Sequence, residues 1–288
     1  MDSSQVRERL ARSRLGPIVD ELGFDTEDVA ELFAALAGIL SDDAEVSRIG
    51  QAAGALHRAV GLETEPAPLP AGGLTALVAH LVAIEAPRAF HRSRGITSAR
   101  SSEALADLAQ QVRVHRRTFG ELGLHTLPWT SLLYTGRLYT LGRLQFDLHR
   151  GPDGRWRLGT HIPATGPLLP EAVNDSFAEA SEFFPRHFPD LARGNPEFAR
   201  TFWCDSWLLN PALEEITPGS NLAHFARRWR ITESVEDVDG VVFFVFDRRP
   251  PYDLEDLPST TRLERAIRER LLDGRGWHRG IGTYTPNP

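Results

Sequence analysis

From Ser3 to about Gly61 the apolar residues recur every three or four positions, as in Val29, Leu32, Phe33, Leu36 and Leu40, the spacing that turns one helix face into a core. Asp25 and Thr26 stand where an N-cap belongs, and Asp28 adds a carboxylate to the first turn. Glu63 to Gly73, rich in proline and glycine, predicts a linker between helix pairs. Leu74 to Phe90 predicts an apolar helix. Ser101 to Phe119 predicts an amphipathic one, with Leu105, Leu108 and Val112 on one side and Arg113, Arg116 and Arg117 on the other. A basic face of that kind is ordinarily solvated, and a ligand site is the less common use.

Past Gly120 to Leu127 the pattern changes to alternation. Leu138 to Leu148 alternates along its length and predicts a strand, Gly151-Pro152-Asp153-Gly154 a turn, and Arg155 to Ile162 the returning arm of a hairpin. Pro170 suits a first helical position, Val173, Phe177, Ala180 and Phe184 form one apolar stripe, and Pro185 marks the expected end of that helix. Phe198 to Leu209 predicts a central strand buried on both faces. Ser220 or Asn221 is placed to cap a helix through Leu222, Phe225 and Trp229. Arg230 to Glu236 and Val241 to Asp247 read as strands about a turn at 237–240, Thr260 to Leu272 as a final helix, and the glycine-rich tail as irregular. The expected fold class is α+β, an all-helical domain at 1–125 followed by a mixed α/β domain at 126–288.

Composition narrows the function. At 288 residues and 41% hydrophobic the chain can bury two cores. With 32 basic residues against 39 acidic, a net −7, neither nucleic acid nor an anionic membrane is an expected partner. Every basic residue is arginine, which excludes a Schiff-base, Walker or kinase lysine. The single cysteine, Cys204, excludes an intrachain disulfide or CxxC pair, and a cytoplasmic location is expected from it together with the charged N-terminus and the lack of any run of 18 apolar residues. No HExxH, CxxC or H-x-H spacing occurs, so no metal is expected, and GxSxG and GxGxxG are absent.

Five blocks carry a resemblance: LGRLQF at Leu141 to Phe146, HIPATGPL at His161 to Leu168, ASEFFP at Ala180 to Pro185, CDSWLLNPAL at Cys204 to Leu213 and SNLAHF at Ser220 to Phe225. Together with the order hairpin, helix, strand, helix, hairpin, they resemble acyltransferase-domain proteins in which a helical N-terminal domain precedes a GNAT-like domain, of the acyl-CoA-dependent N-acyltransferase superfamily. The likeness spans about Gly136 to Asp247. It implies a central, mostly antiparallel sheet, acetyl-CoA or another acyl-CoA as cosubstrate, no metal, and a small-molecule or peptide amine as acceptor, attacked directly within a ternary complex. It places the pantetheine in a V-shaped gap after the strand ending at His161. The cofactor-binding residues it implies are Ile162, Ala164, Thr165, Gly166, Leu168 and Leu169, the segment for the pyrophosphate, together with Asn210. Prolines at 163, 167 and 170 withhold donors there and depart from the glycine-rich Q/R-x-x-G-x-G/A pattern of ordinary members.

Two roles fit His161: a general base for the attacking ammonium, or a histidine whose ring nitrogens cap loop carbonyls. Asp205 and Ser206 are the other candidate catalytic residues, placed to orient the amine or reprotonate the leaving thiolate, although Asp205 in so apolar a strand equally suits a structural partner such as an arginine. Cys204 reads as a small buried hydrophobe rather than a nucleophile. A catalytically inactive GNAT-like module that binds acyl-CoA or a protein is the alternative function.

Overall fold

The computed structural model describes residues 1–286, which form two compact units, Met1–Tyr139 and a second beginning at Thr140. The first unit is helical: α1 (Ser3–Arg9), α2 (Arg12–Glu21), α3 (Thr26–Ser41), α4 (Asp43–Ala59), α5 (Gly73–Ala83), α6 (Glu85–Ser93), α7 (Ser98–Leu105), α8 (Asp107–Phe119) and α9 (Leu127–Tyr134). The division therefore follows α9, whereas the sequence pattern changes before it. Leu32, Leu36, Val46, Ile49 and Ala53 join the fully buried α5 residues Ala76 to Ala83 in one core. The apolar stretch expected as a single helix bends by 41° between α5 and α6. Pro87 explains the break, because its missing N–H cannot reach the carbonyl of Ala83. No single helix among the described residues is long and apolar enough to cross a membrane.

The stretch from Ser101 to Phe119 likewise divides, at Ala106. The basic face of α8 is paired rather than merely solvated: the Arg116 guanidinium lies 2.6 Å from both the buried Asp28 carboxylate and Glu31. The proline-rich linker is tied down by Arg137, which is almost wholly buried and donates to the carbonyls of Leu62 at 3.1 Å and Thr64 at 2.6 Å.

A six-stranded sheet organises the second unit, and the division falls within its first strand. The strands are β1 (Leu138–Leu141), β2 (Leu144–Arg150), β3 (Trp156–His161), β4 (Phe202–Ser206), β5 (Arg230–Glu236) and β6 (His278–Tyr284), ordered β1-β2-β3-β4-β6-β5. Pairing is antiparallel in β2/β3, β4/β6 and β5/β6 but parallel in β3/β4, so the sheet is mixed rather than wholly antiparallel. The helices are α10 (Pro170–His187), α11 (Pro189–Ala192), α12 (Ala212–Ile216), α13 (Asn221–Arg227), α14 (Val238–Phe246) and α15 (Arg262–Leu272).

Five expectations are corrected. The strand expected over 138–148 is a hairpin, turned at Gly142-Arg143, where Gly142 takes φ +61°. Pro185 does not end α10. The helix runs on to His187 because Phe184 and Phe188 on either side are buried, each worth about 1.5–3 kcal/mol, against about 3 kcal/mol for an interior proline. The strand expected over 198–209 shortens to β4, whose Phe202 and Cys204 are buried while Asp205 is exposed, so it is not covered on both faces. Val241 to Phe246 is helical, because Asp237 caps α14 by accepting from the Gly240 N–H at 2.9 Å and Val241, Val242 and Phe246 meet one apolar cluster. The tail is not irregular: Trp277 is wholly buried, donating to the Trp207 carbonyl at 3.1 Å, and β6 lies between β4 and β5.

Helix α10 is held by its aromatic stripe. Phe177 meets Phe202 at 4.8 Å, Tyr284 at 4.9 Å and Phe146 at 5.7 Å between ring centroids, in edge-on or steeply tilted geometry. At the sheet's far side, among the described residues, β5 has β6 alone beside it. Its register shifts between Ile231 and Glu233, a bulge in which Thr232 turns its hydroxyl back onto the Ile281 carbonyl at 3.1 Å.

Candidate active site

Alternation along β2 puts Gln145, Asp147 and His149 on one face, and the antiparallel register sets them opposite His161, Gly159 and Arg157 of β3. Asp147 thus stands across from a residue with no side chain. A Cβ at Gly159 would lie 1.9 Å from the Asp147 Oδ1, so only glycine leaves room for the carboxylate to lean over β3. There it reaches two imidazoles. His161 Nε2 is 2.7 Å from Oδ1 and His149 Nδ1 is 3.2 Å from Oδ2.

Asp147 is buried, while both histidine side chains are about one-third exposed. Burial alone would push its carboxyl up, but the hydrogen bonds and charge from His149 and His161 outweigh this and hold it well below the usual carboxylate range. An ionised carboxylate only accepts, so the nitrogens facing it carry protons: Nε2–H on His161 and Nδ1–H on His149. That fixes both tautomers and leaves Nδ1 of His161 and Nε2 of His149 as the basic positions. One buried negative charge therefore serves two proton-accepting rings, the arrangement that suits a general base.

The gap beside His161 follows from strand pairing. β3 and β4 are in register only at Leu158↔Phe202 and Gly159↔Trp203, although β3 continues to His161 and β4 to Ser206. The ladder stops where the strands part, and His161 sits on the open end. From it the loop 162–169 leads into α10, whose N-cap Leu169 offers no side-chain acceptor to the first-turn N–H groups and whose Glu171 complements the dipole.

Sequence reasoning singled out His161 and missed Asp147 and His149, which a register counted back from the Gly151–Gly154 turn would have placed beside it. Through Nε2 His161 meets the Asp147 carboxylate. Asp205 and Ser206 make their bonds elsewhere: Asp205 is half exposed and ion-paired with Arg279, and the Ser206 hydroxyl accepts from the Leu208 N–H at 3.1 Å to cap a single 3₁₀ turn at Trp207–Leu209. Asn210 is buried and staples the chain, donating to the His278 carbonyl at 2.8 Å and accepting from the Ala212 N–H at 2.9 Å. Ile162 packs against the apolar cluster of Leu208, Leu213 and Val241. In the loop, Ala164, Thr165, Gly166 and Leu169 are exposed and Leu168 is buried, and the Thr165 N–H is already engaged with the Pro163 carbonyl at 2.8 Å. Burial, then the neighbouring Asp205, pushes the Cys204 thiol up, out of nucleophilic range. Among the described residues no group of three or more histidine, cysteine or acidic side chains is placed to hold a metal ion.

Two family descriptions match consecutive parts of the chain: an N-acyltransferase N-terminal domain over residues 14–136 and a GNAT-like C-terminal domain over 138–284. No curated protein matches. Among solved structures, an acyltransferase in complex with decanoyl-CoA and teicoplanin is 34% identical, with a TM-score of 0.84 over 95% of this chain and 88% of that one. An acyltransferase in complex with CoA and 10C-teicoplanin is 32% identical, with a TM-score of 0.82 over 99% of each chain. A third, in complex with decanoyl-CoA, is 33% identical, with a TM-score of 0.80 over 99% of this chain and 100% of that one. With both domains matched in order and a one-third identity sustained over nearly the whole length, the chain belongs to the two-domain acyltransferases that join an N-acyltransferase N-terminal domain to a GNAT-like C-terminal domain.

Proposed function

We propose that the protein transfers a medium-chain acyl group from acyl-CoA to an amine of a teicoplanin-class glycopeptide by direct attack within a ternary complex. The observation that carries this reading is the His161–Asp147 contact at the open end of the β3/β4 ladder, supported by similar acyltransferases bound to decanoyl-CoA and teicoplanin. An ammonium group must lose a proton before its nitrogen can reach a carbonyl. His161, oriented through Nε2 by Asp147, takes that proton on Nδ1, and the carboxylate stabilises the imidazolium that forms. The amine nitrogen then bonds to the thioester carbon, the carbon–sulfur bond breaks, the surplus proton on that nitrogen passes to the departing CoA sulfur, and the imidazolium gives up the first proton to solvent. Asp205, Ser206 and Asn210 shape β4 and the turn after it, and the proton transfer is assigned to His161.

The pyrophosphate of the donor lies on the loop 162–169 and the first turn of α10, where unpaired N–H groups and the helix dipole favour an anion. The test is thiol release from decanoyl-CoA in the presence of a deacylated glycopeptide, with mass spectrometry of the acceptor. The expected result is stoichiometric CoA thiol and an acceptor heavier by one decanoyl group. Binding of decanoyl-CoA with no thiol release for any amine would instead establish the inactive binding module.

A further inference from the structure

We propose that Arg143 is a positioning residue that presets the β3–α10 loop for the donor pyrophosphate, an inference that rests on the acyl-CoA reading above. Arg143 lies in the β1–β2 turn, yet its guanidinium bonds to none of its own hairpin. Nε donates to the Pro167 carbonyl at 3.0 Å, Nη1 to the Pro163 carbonyl at 3.0 Å and Nη2 to the Gly166 carbonyl at 3.2 Å. All three nitrogens thus hold one short loop. Its backbone N–H donates to the Ser176 hydroxyl at 2.8 Å, and that buried hydroxyl in turn donates to the Ala172 carbonyl of α10 at 2.8 Å. Turn, loop and helix are therefore fixed to each other through one residue.

The direction of these bonds matters. In a trans peptide the C=O and the following N–H point opposite ways, and the sole cis bond among the described residues is Pro250-Pro251. Drawing the carbonyls of Pro163 and Pro167 onto Arg143 consequently aims the N–H groups of Ala164 and Leu168 away from it. Among the described residues neither amide has a protein acceptor. The three prolines that thin out the donors of this loop are thereby offset: fewer N–H groups remain, but those of Ala164 and Leu168 are turned away from Arg143 and left open to a ligand, in the segment that leads to the uncapped start of α10. The guanidinium also neutralises the inward carbonyl ends of the same peptides, which would otherwise repel a phosphate.

The test compares two donors, decanoyl-CoA and decanoyl-pantetheine, the second lacking the pyrophosphate. In Arg143→Met the KM for decanoyl-CoA rises about tenfold, with kcat within about twofold, while the kinetics of decanoyl-pantetheine are unchanged. Arg143→Lys recovers part of the loss, because an ammonium group cannot reach three carbonyls in one plane. An unchanged KM for decanoyl-CoA, or an equal loss with both donors, overturns the positioning role while leaving the acyl-CoA reading intact. If wild-type enzyme does not distinguish the donors, the pyrophosphate site itself fails and the inference with it. Should Arg143→Met not fold, Arg143→Lys carries the same comparison, its KM for decanoyl-CoA expected to rise about threefold.

Discussion

Replacing Asp147 by asparagine is the sharpest test of the two-histidine site. The side chain keeps its shape and one carbonyl oxygen, but where the carboxylate accepted from both His161 at 2.7 Å and His149 at 3.2 Å, the amide accepts from one and offers an NH2 group to the other. At one imidazole two donors then face each other, and that ring must turn or change tautomer. If it is His161, the proton moves to Nδ1 and the base is lost. If it is His149, His161 still loses the charge that stabilised its imidazolium. General-base catalysis contributes about 10²–10⁴-fold, so kcat is expected to fall about 10²- to 10³-fold, about 3–4 kcal/mol in the barrier. Asp147 bonds to the imidazoles rather than to the loop, so the KM for decanoyl-CoA is expected to change less than about twofold. The assay is initial-rate thiol release with both substrates varied, with melting curves to establish that the variant is folded. A kcat within about threefold of wild type in a folded Asp147→Asn protein would refute the reasoning, since Asp147 would then be a structural carboxylate with no hold over the base.

Three further outcomes follow from the geometry. Gly159→Ala places a methyl 1.9 Å from the Asp147 oxygen, so the carboxylate must swing off the histidines, and a loss of kcat comparable to Asp147→Asn with about 1–3 kcal/mol of destabilisation is expected in kinetics and urea denaturation; wild-type kinetics would show the close approach to be relaxed. Phe177→Ala empties the stripe that meets Phe146, Phe202 and Tyr284, and is expected to cost about 3–5 kcal/mol in chemical denaturation, a cost under about 1 kcal/mol placing Phe177 outside the core. In the first unit, burial lowers His80 and His91 to about 4. Because the unfolded chain takes these protons first, at about 6.5, stability is whole above that pH and drains as pH falls towards about 4, by about 2 kcal/mol for each at pH 5. Urea midpoints flat between pH 7 and 5 would contradict this.

The parts of the fold that were legible in the sequence are those where one local signal dominates. Pro170 and the stripe through Phe177 announced α10, the Gly151–Gly154 turn announced the β2–β3 hairpin, and Ser220 caps α13 by accepting from the Ala223 N–H at 3.1 Å. The misreadings occur where tertiary contacts override the local pattern. Alternation over 138–148 was real on both arms, yet it concealed a two-residue turn that only Gly142-Arg143 marks. The β-branched and aromatic run after Gly240 reads as a strand by propensity but is helical because Asp237 caps it and one face meets a core. In the site, His161 was legible from its position at a strand end. Asp147 and His149 were not, because their role depends on register across the hairpin, which the alternation of either strand taken alone does not fix and which must be counted back from the turn, and on the absent side chain at Gly159.

The bulge at Thr232 has a bearing beyond the fold of β5. A seven-residue outer strand with its side chains turned to water would, if straight, offer any second molecule a continuous row of unpaired amides and carbonyls. Here that row is interrupted at Thr232, whose hydroxyl folds inward, and flanked by the charges of Arg230, Glu233 and Glu236. The opposite border, β1, is only four residues long. Both margins of the sheet are thus unsuited to templating another chain, which gives the native protein a defence against edge-to-edge aggregation that owes nothing to its active site. Deleting Thr232 would straighten the outer strand and remove that defence while leaving every residue named in the chemistry in place.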